Sequence, residues 1–122
     1  DVAIKAAVMS AKRAWIASNM AKVGADETVP VPIQAIRIGS VAFVGVPTEP
    51  FAQIGSTVRE RSPAPYTVFA GYTNGSLGYV PTPEAYEQGG YEPRATPFRA
   101  GGSDDLIEGC VSALERLWGS DS

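Results

Sequence analysis

The chain has 122 residues, 44% of them hydrophobic and 19% charged. That composition suits a single domain spanning residues 1–122 with an ordinary core, and it excludes compositional disorder. The net charge is −3 and the ten basic residues are scattered, so no nucleic-acid partner is expected, because neutralising phosphates takes clustered Lys and Arg.

The chain contains no histidine. Histidine is the usual general base near neutral pH and the commonest imidazole metal ligand, so a self-contained zinc enzyme or Ser-His-Asp hydrolase is not expected within these residues. A single cysteine, Cys110, excludes an internal disulfide. No apolar run approaches the roughly 20 residues needed to cross a bilayer, and no signal peptide is visible. The first residue is Asp1 rather than Met, so the chain reads as a processed product or a piece of a larger protein, and a secreted parent stays open.

Residues 2–22 read as a helix rich in Ala, with Ile4, Val8, Trp15 and Met20 forming a broad apolar stripe opposite Lys5, Lys12 and Arg13. Gly24 ends it. Residues 33–38 alternate apolar and polar, which predicts a strand with one drier face. Gly39 and Ser40 form a two-residue turn. Residues 41–46 are continuously apolar, as in a strand covered on both faces, and the two strands should pair as an antiparallel hairpin.

Pro47 stops the second strand. Residues 49–61 read as a helix, with Phe51, Ile54 and Val58 on one face and Pro50 in the first turn, where proline is tolerated. Residues 66–72 are rich in β-branched and aromatic residues and predict a strand. Strand, helix, strand implies a crossover and a parallel pair. Asn74 and Gly75 are a turn dipeptide. Residues 83–86 open a short helix with Thr82 as N-cap, residues 87–102 read as an ordered loop, and residues 104–118 form a closing helix. Its apolar face is Leu106, Ile107, Cys110, Val111, Leu114, Leu117 and Trp118, and Ser103 is its expected cap. The fold class is therefore α/β: a mixed sheet with an antiparallel hairpin, a β-α-β crossover and flanking N- and C-terminal helices.

In such a sheet, ligands bind beyond the carboxyl ends of the parallel strands. Two loops lie there. The first carries Glu49, read either as a charge favouring a helix N-terminus, worth about 0.3–1 kcal/mol, or as a carboxylate aimed into a cleft. The second runs over residues 73–82. Asn74 and Gly75 allow a sharp turn, Gly78 permits close backbone approach, and Tyr79 follows as either a packed or a functional tyrosine. Cys110 reads as a buried small hydrophobe, and Glu84, Glu87 and Glu92 as a solvated acidic surface, because their spacing matches no calcium loop.

The order of these segments resembles the neutral/alkaline non-lysosomal ceramidase family. There a hairpin leads to P-x-E-x-F, here Pro47, Glu49 and Phe51. A later strand leads to N-x-x-x-x-Y-V-x-T-x-E-x-Y and a closing Y-E, here Asn74, Tyr79, Val80, Thr82, Glu84, Tyr86, Tyr91 and Glu92. The resemblance covers residues 33–92, and the chain looks closer to shorter bacterial relatives than to the well-studied members of that family. It implies hydrolysis of the amide bond of an N-acyl sphingoid lipid or a related amide at one zinc ion held by two histidines, a glutamate and a tyrosine. By position, Glu49 and Tyr79 would be the glutamate and tyrosine ligands, with Asn74, Gly78 and Thr82 shaping the site.

With no histidine here, the resemblance implies that this is the C-terminal portion of the catalytic domain. The histidine ligands would lie in a missing N-terminal part of the same protein, and this chain alone would be inactive, with no catalytic group beyond the two metal ligands. Two other expectations stand beside this one. One is a non-catalytic α/β binding or assembly domain that keeps the family scaffold. The other is a homo-oligomer that covers core surface left open by the missing part.

Overall fold

The computed structural model describes residues 28–119. The helix expected over residues 2–22 lies outside them. The elements run β1 (Gln34–Ile38), β2 (Val41–Gly45), β3 (Glu49–Pro50), α1 (Ala52–Arg61), β4 (Tyr66–Ala70), β5 (Tyr79–Val80), α2 (Pro83–Gln88), α3 (Tyr91–Ala95) and α4 (Gly102–Gly119). β1 and β2 form the expected antiparallel hairpin, with Ile36 opposite Phe43. The turn places Gly39 at φ +59, a left-handed conformation that glycine adopts without a Cβ penalty. β2 and β4 pair in parallel across α1, with Val44 opposite Phe69. Among the described residues the larger sheet has the order β1-β2-β4, and β3 and β5 form a separate parallel ribbon.

The core follows from strand parity. Ala42 and Val44 point from β2 toward Ile54 and Val58 of α1 and Leu106, Cys110 and Leu114 of α4, all almost fully buried. These α4 positions recur at the three- and four-residue spacing of one helix face. Burial pushes the Cys110 thiol up to about 12, which keeps it an inert thiol, as its place in the apolar stripe implied. Two contacts at the ends fix the layers. The Arg37 guanidinium stacks over Trp118 at 4.3 Å, and Arg61 Nη1 bonds to Glu108 Oε1 at 2.6 Å.

The opposite sheet face departs from expectation. Ile36, Phe43 and Val68 stand in one cross-strand row, and Ile38, Val41 and Tyr66 in the next. All but Val41 are exposed large hydrophobics; Phe43, for example, is 41% accessible. So β2 is not covered on both faces by the described residues. In β1 the alternation holds, but its isoleucines occupy the open face while Ala35 and Arg37 face the helices.

Further details differ. The helix expected from Glu49 starts at Ala52, because residues 49–51 pair with the second loop: the Glu49 N–H donates to Gly78 O at 2.9 Å and the Phe51 N–H to Val80 O at 3.1 Å. A parallel strand donates from alternate residues to one neighbour, so Pro50, between these donors, costs the ribbon nothing. Thr82 precedes α2 without a side-chain cap bond. The loop expected over residues 87–102 contains α3, and Ser103 lies inside α4 rather than capping it.

Leu114 is fully buried where α4 meets the sheet. Leu114→Ala should lower the unfolding free energy by about 2–5 kcal/mol, read from urea denaturation; a loss comparable to that of an exposed-face Ile38→Ala would remove Leu114 from the core.

Candidate functional site

The site is built by two loops that bind each other through the backbone. Beyond β2, the Val46 N–H donates to Ala70 O at 2.9 Å and Val46 O accepts from Thr73 N at 2.9 Å. Pro47 O then accepts from Leu77 N at 2.7 Å and Thr48 O from Tyr72 N at 3.0 Å. The β3-β5 ribbon continues the pairing and places Glu49 directly opposite Tyr79. Thr48 and Val46 are fully buried beneath it. Buried backbone groups must be paired, so each of these bonds constrains the next.

Strand parity then sorts the side chains. Thr48 and Val80 turn inward to bury, while Glu49 and Tyr79 are half-buried and face one cleft of about 530 Å³. Pro50, Phe51, Ala52, Gly55 and Phe69 give the cleft an apolar wall, and Arg59, Tyr72 and Glu92 add polar groups. Gly55 is required there: a Cβ would lie 2.9 Å from the Phe69 ring.

The two candidates from the motifs therefore meet, and the helix-terminus role considered for Glu49 does not apply. Of the shaping residues, Gly78 adopts φ +110 and supplies the carbonyl that Glu49 binds; a Cβ there would meet Pro97 at 2.9 Å. Asn74, at φ +60, donates from Nδ2 to Gln34 Oε1 at 2.9 Å. It ties the loop to the hairpin and does not line the cleft. Thr82 does not line it either; its carbonyl accepts from Ala85 N at 3.1 Å.

Four residues that motif reading left without a role also gather here. The Tyr91 ring packs edge-on against Tyr79, centroids 5.8 Å apart. Glu92, read as solvated surface, lines the cleft. The Ser76 hydroxyl lies 3.5 Å from Glu49 Oε1. Tyr72 lines the cleft together with Glu49. The closing Y-E of the second motif was the only sequence signal for Tyr91 and Glu92; nothing in the sequence singled out Tyr72. Thr96 completes the support by donating its hydroxyl to Tyr79 O at 2.6 Å.

The electrostatics set the phenols apart. The Tyr79 phenol is held above its ordinary value by desolvation first, then by the Glu49 charge and by Tyr91. The Tyr72 phenol is raised chiefly by the Glu49 carboxylate near it. A carboxylate beside a phenol opposes ionisation of the phenol, and a cation between them reverses that preference. The pair thus fits as two oxygen donors to one metal ion. It is not a complete set, since catalytic zinc usually takes three protein ligands. Among the described residues, no cluster of three or more His, Cys, Asp or Glu side chains could hold a metal.

Comparison with known proteins gives two matches. Neutral ceramidase of Mycobacterium tuberculosis is 35% identical over 74 residues, covering 56% of this chain and 12% of that protein. The crystal structure of neutral ceramidase from Pseudomonas aeruginosa aligns at a TM-score of 0.54 and 29% identity, covering 69% of this chain and 15% of that one. The chain thus spans a small part of the length of either relative. No family model matches it.

The raised phenols carry a sign for stability. Tyr72, Tyr79 and Tyr86 all sit above the ordinary tyrosine value, so the folded state holds these protons more tightly than the unfolded chain. Their contribution is complete below the unfolded value near pH 10 and is lost as pH rises through the folded values. The urea midpoint should fall above about pH 10, and fall less steeply in Tyr79→Phe; an identical slope in that variant would contradict the shift at Tyr79.

Proposed function

We propose that this chain, which is similar to neutral ceramidases in sequence and fold, forms part of a zinc-dependent amidohydrolase acting on an N-acyl sphingoid lipid or a related amide. The observation that carries this reading is the placement of Glu49 opposite Tyr79 over one cleft. The resemblance pairs the same two positions as metal ligands, although the strands that bear them are distant in sequence.

In this reading Glu49 and Tyr79 hold the ion from one side, and the histidines come from another part of the same protein. Bound zinc would supply Lewis acidity at the amide carbonyl. The chain's own residues do the rest of the local work. The Tyr91 ring fixes Tyr79 laterally, and the carbonyl bond from Thr96 fixes its backbone. Phe51, Phe69 and Pro50 form a dry wall against which a hydrocarbon chain can lie. The open sheet face supports the same reading: its rows of Ile36, Phe43, Val68, Ile38 and Tyr66 form an apolar surface of the kind that elsewhere in a protein is covered.

The chain by itself should be inactive and should not retain zinc, since one carboxylate and one phenol are a poor zinc set. Equilibrium dialysis should leave it essentially metal-free at micromolar zinc, on the order of 1–10 µM given the weak donors; one tightly held ion per chain would overturn this. In the longer protein that carries the chain, Glu49→Gln should lower zinc content and amidase turnover together, with about 100-fold or more loss of activity. Unchanged zinc content in that variant would remove Glu49 from the ligand set.

A further inference from the structure

Arg59 lines the cleft, and neither motif accounts for it. It belongs to one stripe of α1. Ala52, Gly55 and Arg59 stand three and four residues apart, so they share a helix face, and all three line the cleft. A helical side chain leans back toward the N-terminus of its helix. That direction carries the Arg59 side chain toward Ala52 and the β3-β5 ribbon, over two small residues. The Gly55 position shows the result: a Cβ there would lie 3.5 Å from Arg59 Nη1 and 2.9 Å from Phe69 Cδ1. The guanidinium therefore rests over the Gly55 backbone, beside the Phe69 wall. Ala52, where α1 meets the first loop, is about 4.5 Å further along the helix axis.

The two arginines of α1 are employed differently. Arg61 directs its fork at Glu108, at 2.6 and 3.1 Å. Arg59 has a neutral partner: Nη2 donates to Ser56 Oγ at 3.3 Å, and among the described residues no carboxylate pairs with it. The acids of the cleft stand on other elements. Glu49 is on β3, where its Oε1 accepts from Ser76, and Glu92 is in the first turn of α3. The cleft thus carries its cation on the α1 wall and its carboxylates on β3 and α3. A guanidinium does not lose its proton in a protein, and its planar fork matches the oxygens of a carboxylate or phosphate. Arg59 is exposed, so that fork is open to whatever enters the cleft.

We propose that Arg59 selects the substrate, and that the amide entering the cleft carries an oxyanion, a carboxylate or a phosphate, on its amine half. The proposal rests on the reading of the cleft as an amidase site. A fatty acyl chain is uncharged and suits the wall of Pro50, Phe51 and Phe69, so the charge comes from the other half of the molecule. An amide whose carbonyl faces Glu49 and Tyr79 has a fixed cation on the wall beside it. Hydrogen bonds between a guanidinium and an oxyanion are the stronger, charge-assisted kind, and a bidentate pair adds geometric selection. A neutral hydroxyl in that place offers Arg59 no more than water does.

The test uses the proposed longer protein, with this chain joined to the histidine-bearing part, and matched pairs of amides. One pair is N-dodecanoylglycine and N-dodecanoylethanolamine. The other is ceramide phosphorylated on its primary hydroxyl and ceramide itself. kcat/KM should favour the anionic member of at least one pair, and that pair identifies the oxyanion as carboxylate or phosphate. Arg59→Leu should lower the ratio of anionic to neutral kcat/KM by about 10–100-fold, the range for a hydrogen bond to a charged group. Arg61→Leu, which breaks the pair with Glu108 instead, should keep the wild-type ratio. Preference for the neutral member in both pairs, a wild-type ratio in Arg59→Leu, or an equal fall in Arg61→Leu would overturn the proposal. If no amide is turned over, the amidase reading fails, and binding to this chain decides on Arg59. The Arg59 Nε–Hε resonance should then shift on titration with N-dodecanoylglycine or dodecyl phosphate and not with N-dodecanoylethanolamine. A resonance that neither anion moves would overturn the oxyanion site as well.

Discussion

Everything at the site depends on the backbone bonds between residues 46–51 and 70–80. Pro47 and Pro50 have no N–H, and Val46 and Thr48 are fully buried, so this segment has few ways to satisfy its polar groups. It does so against a single partner. Val46, Glu49 and Phe51 donate to the second loop, and Val46, Pro47 and Thr48 accept from it. The pairing extends the parallel order of β2 and β4 past the end of the larger sheet and hands it to the β3-β5 ribbon. Register and parity then leave no choice about which side chains share a face. Glu49 and Tyr79 face the cleft because Thr48 and Val80 are buried.

The same constraint explains what could be read from the sequence and what could not. The hairpin, the crossover and α4 are local patterns: a two-residue turn between apolar runs, strand-helix-strand, and an apolar stripe at Leu106, Cys110 and Leu114. Glu49 and Pro50 looked like a first helical turn because acidic residues and proline favour that position. What overrules the local preference is a pair of bonds to Gly78 and Val80, which are distant in sequence. Alternation in β1 showed two faces but not which one the helices cover, so its isoleucines turned out to lie on the open side. The short α3 was hidden by the Gly- and Pro-rich composition around it. Tyr72 was invisible for a similar reason, since its place at the cleft follows from a backbone angle that no spacing encodes.

The family motifs and the geometry meet on the same pair of residues by independent routes. Motif order selects Glu49 and Tyr79 without regard to space. The ribbon places them opposite each other without regard to motif. Their electrostatics agree, since a carboxylate that raises a neighbouring phenol forms an oxygen pair that a cation would relieve. In the proposed reading the pair would supply two oxygen donors to a metal, and no cluster of three or more His, Cys, Asp or Glu side chains among the described residues would complete the set. Around it, the apolar wall, the Tyr91 edge contact and the Thr96 bond to the Tyr79 carbonyl surround the two side chains.

The most direct test is anomalous diffraction at the zinc edge from crystals of the proposed longer protein, with this chain joined to the histidine-bearing part. The account predicts one peak about 2 Å from both a Glu49 carboxylate oxygen and the Tyr79 phenolic oxygen, the ordinary zinc-oxygen distance. A zinc peak that touches neither oxygen, or a structure in which Glu49 and Tyr79 face different sides of the ribbon, would contradict it.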